Sequence, residues 1–425
     1  MLDFTSSVIA LKQILFERKS FNDVLFHTFL MEKLSREGKK NVRDIVLGVL
    51  RHHNTLVFEA MDLFHHNKKS EEILLVISAL YEARYLKILS KEDLSLTYEE
   101  TIRRLRLDNA AIESEVIFEC AKKPFHIPEE VKESPFLYDA LVLETPEFLL
   151  KKFAKDYSPK DSISIALSLH QKSKDFSGLD ERIGDRDSLI SDDGFTSIEL
   201  SDKTLLFKSD RALSSSEAKA KGLYPLGYLE ALAYSKVSLP QVSPKVLLIG
   251  CTTQSAAINL GLRTQDSFEA EVIPVYEKAD KYRLAIDALK RFSLSENVKP
   301  LLTTPELVKT YLSYDSYDLA VCFGKSTDIG LSRRKPEILP SLEEKDFAKN
   351  FTLALHDLKE TAEFVRNGGK LLFLSHGLVK DETKKVVRKF LSDTPSFALV
   401  EEAFVLPNVM DSDGGYYAIL EKQHD

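Results

Sequence analysis

The sequence predicts a multidomain fold: an all-α bundle over residues 1–140, a small α+β domain over 146–212 and an α/β domain over 213–425. Three observations predict this order. Apolar residues recur at spacings of three and four through the first 140 residues, as in packed amphipathic helices. Prolines between residues 124 and 146 interrupt that pattern. From about residue 213, strand patterns alternate with helical ones, which is typical of a mostly parallel, doubly wound sheet.

Within the bundle, the segments SSVIALKQILFERKS and NVRDIVLGVLRHH each place apolar residues on one helical stripe. EEILLVISALYEARYLKIL is almost continuously apolar, which predicts a buried helix. TYEETIRRLRL predicts a further helix with Thr97 as N-cap and Glu100 as the partner in a capping box, and ESEVIFECAKK predicts another. A linker is expected from about Lys122 to Pro146.

Beyond the linker, TPEFLLKKFAKDY predicts a short helix and SIELSDKTLLFKS predicts a strand, a turn and a strand. The last 213 residues contain five apolar segments that predict strands: KVLLIG, EAEVIPVYE, DLAVCFG, GGKLLFLS and YYAILEK. In doubly wound sheets, ligands bind beyond the carboxyl ends of the strands. The residues that follow these strands are therefore the candidates for function.

Composition limits the possible partners and compartments. A net charge of −8 means that any nucleic acid must be held by local basic patches. The three cysteines are odd in number and far apart, which favours reduced thiols in a cytoplasm over disulfides or a metal site. There is no run of 18 apolar residues, and the N-terminus, with Asp3, lacks a basic region. We expect a cytoplasmic protein of undetermined oligomeric state that has no membrane segment.

Six strings carry a resemblance to a known family: NVRDIVLGVLRHH, TPEFLLKKFAKDY, KGLYPLGYLEALA, IGLSRRKPE, VRNGGKLLFLS and DSDGGYYAILEK. In this order they are similar to RsmB/Sun-type ribosomal RNA cytosine-5 methyltransferases. The resemblance implies a NusB-like helical bundle, a small RNA-binding-like α+β domain and a Rossmann-like methyltransferase domain. It also implies S-adenosylmethionine as cofactor and ribosomal RNA as partner.

The chemistry implied by this family needs two cysteines. One thiolate adds to C6 of cytosine so that C5 can accept the methyl group, and the second helps to release the product. The family places one in a strand-end string after GG-x-L-V-Y, where this chain has GGKLLFLSHG and therefore His376. The other belongs to D-A-P-C, whose first and fourth positions here are Phe323 and Ser326. Both expected thiols are absent.

The resemblance also implies a methyl-donor site at the ends of the first two strands. The family's glycine-rich turn corresponds to VLLIGCTTQSAA, which keeps Gly250 and the small Thr252 but lacks the paired glycines that let a cofactor approach. Glu277 in VIPVYEKADKYRL is the candidate for the ribose hydroxyls, with Arg283 matching the family's arginine. The alternative for Glu277 is a solvated carboxylate at a strand end that binds no ligand. S-adenosylmethionine binding is therefore in question.

Three other interpretations of the loop after DLAVCFG remain open. Cys322 is either a displaced nucleophile or a buried structural cysteine. Ser326 and His376 either form a hydroxyl–imidazole pair or have no catalytic duty. The string FGKST resembles the end of a phosphate-binding loop, but the glycine that this motif requires is replaced by Leu319.

Basic side chains supply the candidate RNA contacts, although such runs are usually solvated surface. Arg43 and Arg51 match family positions in the bundle. The leading hypothesis is a catalytically inactive RNA- or ribosome-assembly-binding scaffold. One alternative is an active methyltransferase with an atypical site, and a second is a NusB-like protein-interaction module. The candidate phosphate contacts in the C-terminal domain are Arg333, Arg334, Lys335, Arg388 and Lys389.

Overall fold

A computed structural model describes residues 2–64, 71–107, 112–201, 204–209 and 213–424. The chain divides into two compact units. Unit 1 comprises Met1–His170 and Ser332–Glu344, and unit 2 comprises Gln171–Leu331 and Lys345–Asp425. The predicted division into three domains remains a prediction. Its boundary between residues 212 and 213 lies at the end of residues 210–212, which are outside the described part of the chain.

Unit 1 is helical, as the sequence predicts. Its core is a cluster of buried aliphatic and aromatic side chains from α1 to α7, and residues 73–80 of α5 are buried all round. The helices of its first segment are α1 (Leu2–Leu15), α2 (Phe21–Met31), α3 (Arg36–Arg51), α4 (His53–Phe64), α5 (Glu71–Tyr81), α6 (Lys91–Leu105), α7 (Ser114–Lys122), α8 (Glu129–Lys132), α9 (Pro135–Val142), α10 (Glu147–Asp156) and α11 (Pro159–Leu169).

Two predictions for this unit are wrong in detail. Helix α6 begins six residues before Thr97, because the Ser90 hydroxyl accepts a hydrogen bond from the backbone N–H of Asp93 at 3.1 Å and caps the helix there. Thr97 is buried inside α6. The expected linker contains the short helices α8 and α9, since a proline is accommodated in the first turn of α9.

A π-helical turn, Glu82–Leu86, extends α5. It ends at Lys87, whose φ of 53° is left-handed. One carboxylate oxygen of Glu82 accepts the backbone N–H groups of Ile88 and Leu89 at 2.8 and 2.7 Å, so the exit from the turn is fixed by a buried side chain. Arg84 is held by two 2.6 Å hydrogen bonds to the carboxylate of Glu59.

Unit 2 contains two sheets. The smaller is antiparallel, with strand order β2-β3-β1-β4, and it includes the predicted strand pair on either side of residues 202–203, which lie outside the described residues. The larger has seven strands in the order β10-β11-β9-β8-β5-β6-β7. Its strands are β5 (Lys245–Ile249), β6 (Glu271–Tyr276), β7 (Leu301–Leu302), β8 (Tyr317–Phe323), β9 (Val365–Ser375), β10 (Phe397–Val405) and β11 (Gly415–Lys422), and those of the smaller sheet are β1 (Asp175–Leu179), β2 (Phe195–Ser201), β3 (Thr204–Ser209) and β4 (Leu223–Pro225).

The large sheet is parallel from β7 through β9, and β11 runs antiparallel to both of its neighbours. Buried side chains cover both faces, which agrees with the apolar runs in the strand sequences. The helices of unit 2 are α12 (Arg186–Ile190), α13 (Ser215–Ala220), α14 (Tyr228–Ser235), α15 (Ser255–Thr264), α16 (Ala279–Arg291), α18 (Lys345–Ala362) and α19 (Lys384–Asp393), while α17 (Ile338–Ser341) belongs to unit 1. No helix among the described residues is both long and apolar enough to span a bilayer.

Candidate functional site

The order of the large sheet creates a crevice between β5 and β8. From β5 the chain moves outward through β6 to β7 and then returns to β8 on the other side of β5. The connections on the two sides therefore diverge at the carboxyl ends of these strands. Open α/β sheets bind ligands at such a switch point. Residues after β5, β6, β8 and β9 meet at this edge.

Gly250 makes the turn that follows β5. Its φ of +83° is left-handed, and a Cβ at this position would lie 3.2 Å from the carbonyl oxygen of Phe323 at the end of β8. Glycine is therefore required both by the backbone conformation and by the approach of β8. Thr252 and Thr253 are exposed in this turn, and Tyr276 at the end of β6 donates a hydrogen bond to the Thr253 carbonyl at 3.2 Å.

A carboxylate that the sequence reasoning missed supports the same turn. Glu230 on α14 accepts a hydrogen bond from the Ser255 hydroxyl at 3.1 Å, at the start of α15. Burial raises the pKa of Glu230, and the nearby His376 acts in the opposite direction. Glu230 lies in the family-like string KGLYPLGYLEALA, so its position in that string was the available signal.

Glu277 follows β6 and is exposed. One of its carboxylate oxygens lies 3.8 Å from Nζ of Lys325, which is in the loop after β8. The two loops reach each other across the end of β5, so Glu277 does stand at the edge where the prediction places a ribose contact. An exposed ion pair of this length adds little stability. The role of Glu277 remains a prediction.

The loops that should carry the two thiols are well ordered by other contacts. The Ser326 hydroxyl donates to the carboxylate of Asp328 at 3.0 Å and accepts the backbone N–H of Asp328 at 3.2 Å. Nδ1 of His376 lies 3.0 Å from the carbonyl oxygen of Gly414, so that nitrogen is the donor and carries the proton. Ser326 and His376 thus bond to different partners, and the contacts expected of a hydroxyl–imidazole pair are not made.

Phe323 occupies the first of the four D-A-P-C positions and ends β8, where its ring is half-buried against the core. The segment after it continues into a 3-10 turn at Ile329–Leu331. A phosphate-binding loop requires a glycine-rich turn that opens into an α-helix. The FGKST string does not have that context.

Glu382 joins the loop after β8 to the loop after β9. It is fully buried, and its two carboxylate oxygens accept the backbone N–H of Thr327 at 2.7 Å and the Thr327 hydroxyl at 2.5 Å. Burial raises the pKa of Glu382 to about 7, against the opposing effect of these hydrogen bonds. The backbone adds one more link between these loops, because Gly330 N–H donates to the His376 carbonyl at 2.8 Å. Gly414, directly before β11, donates its N–H to the Gly330 carbonyl at 2.9 Å.

All three cysteines have low thiolate character. Cys322 is a buried residue of β8, with its side chain on the sheet face that packs against α18, and burial raises its pKa. Burial likewise raises the pKa of Cys251, after β5. Cys120 lies in unit 1, where its thiol donates to the Glu59 carboxylate at 3.0 Å and its pKa is raised to about 12. Nucleophilic cysteines need a lowered pKa and access to substrate.

The candidate RNA contacts differ in exposure and belong to different units. Arg333, Arg334 and Lys335 lie in the second segment of unit 1, and of these Arg333 is only 7% exposed. Arg388 and Lys389 are exposed on α19 of unit 2.

Carboxylates offset the basic run on α19. Lys389 Nζ lies 2.7 Å from an oxygen of Asp393, and Lys385 lies 2.5 Å from Asp381. Lys384 forms a further ion pair with Glu402. The positive charge that the sequence places here is therefore largely balanced. In the described residues, no group of three or more metal-ligating side chains occurs.

No protein-family model matches the sequence. Over nearly its whole length the chain is 21% identical to a protein of Klebsiella pneumoniae (strain 342) named ribosomal RNA small subunit methyltransferase B, covering 98% of this chain and 97% of that protein. The protein of the same name from Citrobacter koseri is 20% identical, with 97% of each chain covered.

Solved structures agree on the fold. The protein PH0851 superposes with a TM-score of 0.75 at 15% identity, covering 99% of both chains. NSun6 from Pyrococcus horikoshii, solved with the S-adenosylmethionine analogue SFG, gives a TM-score of 0.54 at 12% identity and covers 66% of this chain and 99% of its own. The chain is therefore similar in sequence, along almost its full length, to ribosomal RNA small subunit methyltransferase B, and it shares the fold of PH0851 over almost its whole length and that of NSun6 over 66% of the chain.

Proposed function

We propose that this protein binds RNA on a methyltransferase fold and transfers no methyl group to cytosine. The observation that carries the proposal is the position of its thiols. The loops after β8 and β9 present Ser326 and His376 where the family's chemistry requires cysteines, and Cys251 and Cys322 are buried. A serine hydroxyl is a far weaker nucleophile than a thiolate at neutral pH, and Nδ1 of His376 is bonded to the Gly414 carbonyl rather than to Ser326.

We expect the carboxyl ends of β5 and β6 to bind S-adenosylmethionine only weakly. Gly250 keeps the turn after β5, and Glu277 stands at the end of β6 where an acidic residue would accept ribose hydroxyls. The residues that follow Gly250 supply side chains where the family supplies glycines, which narrows the approach of a ligand to the backbone. Thr252 is exposed in the turn, as is Thr253, and would border a bound cofactor. Gly250 and Glu277 would therefore supply only part of a site for S-adenosylmethionine.

RNA binding is inferred from the relatives, which are named ribosomal RNA methyltransferases. The exposed Arg334 and Lys335 of unit 1 and Arg388 of unit 2 are the side chains that we assign to phosphate contacts. Lys389 is paired with Asp393, and Arg333 is enclosed by protein and so is less accessible to a phosphate. With a net charge of −8, unspecific attraction to RNA is weak. Binding should therefore depend on a few local contacts.

Methyl transfer is tested with radiolabelled S-adenosylmethionine and undermodified small-subunit ribosomal RNA. We expect label in 5-methylcytosine at the level of a blank without protein. Label above that blank would establish the alternative, an active methyltransferase with an atypical site. The double variant Ser326→Cys/His376→Cys is the matched test of the missing thiols, because a gain of label in that variant alone would locate the defect at these two positions.

RNA binding is tested separately by titrating structured ribosomal RNA fragments at several salt concentrations. We expect the slope of log K against log salt to decrease by roughly 0.7–0.9 for each phosphate contact removed. The variant Arg334→Gln/Lys335→Gln should lower both affinity and slope, and Lys385→Gln, which is paired with Asp381, serves as the control. A wild-type chain that binds no RNA would favour the protein-interaction module.

A further inference from the structure

Three aromatic rings pack together on the surface of unit 1, whereas the sheet edge described above belongs to unit 2. His52, the C-cap residue that follows α3, lies 5.0 Å from Tyr85 between ring centroids, with only 11° between the ring planes. Tyr81 lies 5.2 Å from Tyr85 and 5.9 Å from His52, and its plane is within 31° of both. His52 and Tyr85 are therefore nearly parallel and Tyr81 is inclined to both, and we name these three rings the ring cluster.

The ring cluster is open to solvent. Tyr85 is 46% exposed although it packs against two other rings, and the His52 side chain is 42% exposed. Tyr85 therefore offers solvent-exposed aromatic area beside two other rings, and an exposed aromatic ring can stack on a nucleobase.

The surrounding structure holds these rings in place. A Cβ on Gly48 would lie 1.8 Å from Cζ of Tyr81, so the glycine of α3 provides the space that Tyr81 occupies. Tyr85 lies in the π-helical turn, whose residues Glu82 and Arg84 are held by side-chain hydrogen bonds. Single π-helical turns are frequent at functional sites. The π-helical turn interrupts the regular α-helical geometry, and it carries Tyr85, which packs against the other two rings.

Charges near the ring cluster determine what it can hold. Arg51 is exposed at the end of α3, and both Arg51 and Asp44 act on the phenol of Tyr81. The Glu144 carboxylate lies 3.7 Å from Nδ1 of His52, but it also accepts the backbone N–H of Asn54 at 2.9 Å. The charges named here are one cation and two carboxylates, so they provide no net attraction for a polyanion. Affinity must therefore come from stacking, with one cation available for a neighbouring phosphate.

We infer that the ring cluster is a stacking platform for an unpaired base of single-stranded RNA, with Arg51 contacting the adjoining phosphate. This inference rests on the proposed RNA-binding function but uses a surface that is independent of the sheet edge. Proteins that bind single strands stack bases on tyrosine and histidine rings, and the interaction tolerates any base because every base has a π face. Stacking explains why binding here needs no basic patch.

The chain contains no tryptophan, so Tyr85→Trp introduces a single fluorophore into the platform. We expect short unstructured oligoadenylate and oligouridylate to quench this fluorescence in a saturable manner. Tyr311→Trp is the matched control, since Tyr311 is 63% exposed in unit 2 and outside the ring cluster. Equal quenching in both variants would contradict the stacking platform. The absence of quenching in both variants, although the RNA binds, would also contradict it.

Affinity measurements complete the test. Loss of one base–aromatic stack should weaken binding of the same oligonucleotides roughly 5- to 150-fold in Tyr85→Ala. Tyr85→Phe should retain wild-type affinity and Tyr85→Leu should not, because only the former keeps a ring. If structured ribosomal RNA binds and all three variants match the wild type, the platform fails and the proposed function stands. If no RNA binds the wild type, both fail.

Discussion

Replacing Glu382 by glutamine should change how the stability of this protein depends on pH. The ordinary pKa of this carboxyl is 4.5, the value expected in the unfolded chain, and burial raises it to about 7 in the folded protein. The folded state therefore binds the proton more tightly than the unfolded state. Consequently, the contribution of Glu382 to stability is complete below pH 4.5 and is lost as the pH rises through 7.

The magnitude follows from the shift in pKa. One pKa unit corresponds to 1.36 kcal/mol, so a shift from 4.5 to about 7 is worth about 3 kcal/mol between acid and neutral pH. Solvent screening is small because the side chain is fully buried. Glutamine has the same shape, can still accept the backbone N–H of Thr327, and carries no charge at any pH. The glutamine variant should therefore not show the loss of stability that ionisation of Glu382 causes as the pH rises.

The assay is urea denaturation of the wild type and Glu382→Gln at half-unit steps from pH 4.5 to 8.5. Other acids whose pKa is raised by partial burial, such as Glu230 and Asp357, titrate in both proteins, so they cancel in the difference between the two unfolding free energies. We expect that difference to shift by about 3 kcal/mol in favour of the variant as the pH rises. Parallel curves would show that Glu382 ionises normally in the folded state, and the argument would be refuted.

Two further substitutions test the packing of unit 1. Gly48→Ala should destabilise the chain by about 1–3 kcal/mol, because the new Cβ would overlap Tyr81 at 1.8 Å, whereas helix propensity alone would stabilise it. Gly227→Ala, whose Cβ would meet no atom closer than 3.8 Å, should change the urea midpoint little, and equal midpoints for both variants would contradict the steric argument. Arg84→Met should cost about 3–5 kcal/mol by leaving the buried Glu59 unpaired. Arg84→Met/Glu59→Met should recover most of that loss in the same titration, and a double variant no more stable than the single one would rule out an unpaired charge as the cause.

The secondary structure was predictable where burial dominates. The strands β5, β6, β8, β9 and β11 were expected from continuous apolar runs, and all five occur. The edge strand β10 was missed, because its sequence FALVEEAFV contains two adjacent acids and is exposed over much of its length. Edge strands carry only part of the apolar pattern on which such predictions depend.

The candidate site was predictable in position but less so in its contacts. The loops after β8 and β9 could be identified from the sequence, yet the link between them through Glu382 spans 55 residues and leaves no local signal. The balance of charge on α19 was also missed, because it depends partly on Glu402 of a neighbouring strand. Spacing along the chain shows which charged residues an element carries. Contacts with other elements decide which of those residues are already paired with a charge of opposite sign.

The division of unit 1 into two chain segments has a consequence for how the protein is made. The unit needs residues Ser332–Glu344, since the backbone N–H of Phe21 donates to the Glu337 carboxylate at 3.2 Å and the Ser332 hydroxyl donates to the Leu169 carbonyl at 3.4 Å. A chain still being synthesised therefore cannot complete its first unit until residue 344 has left the ribosome, by which point strands β1 to β8 of the second unit have already emerged. Folding of this protein cannot proceed strictly one unit after the other from the N-terminus, as multidomain chains usually do. A fragment that stops at residue 170 should accordingly behave as an unfinished intermediate, with α1, α2 and α11 lacking the partners that close them.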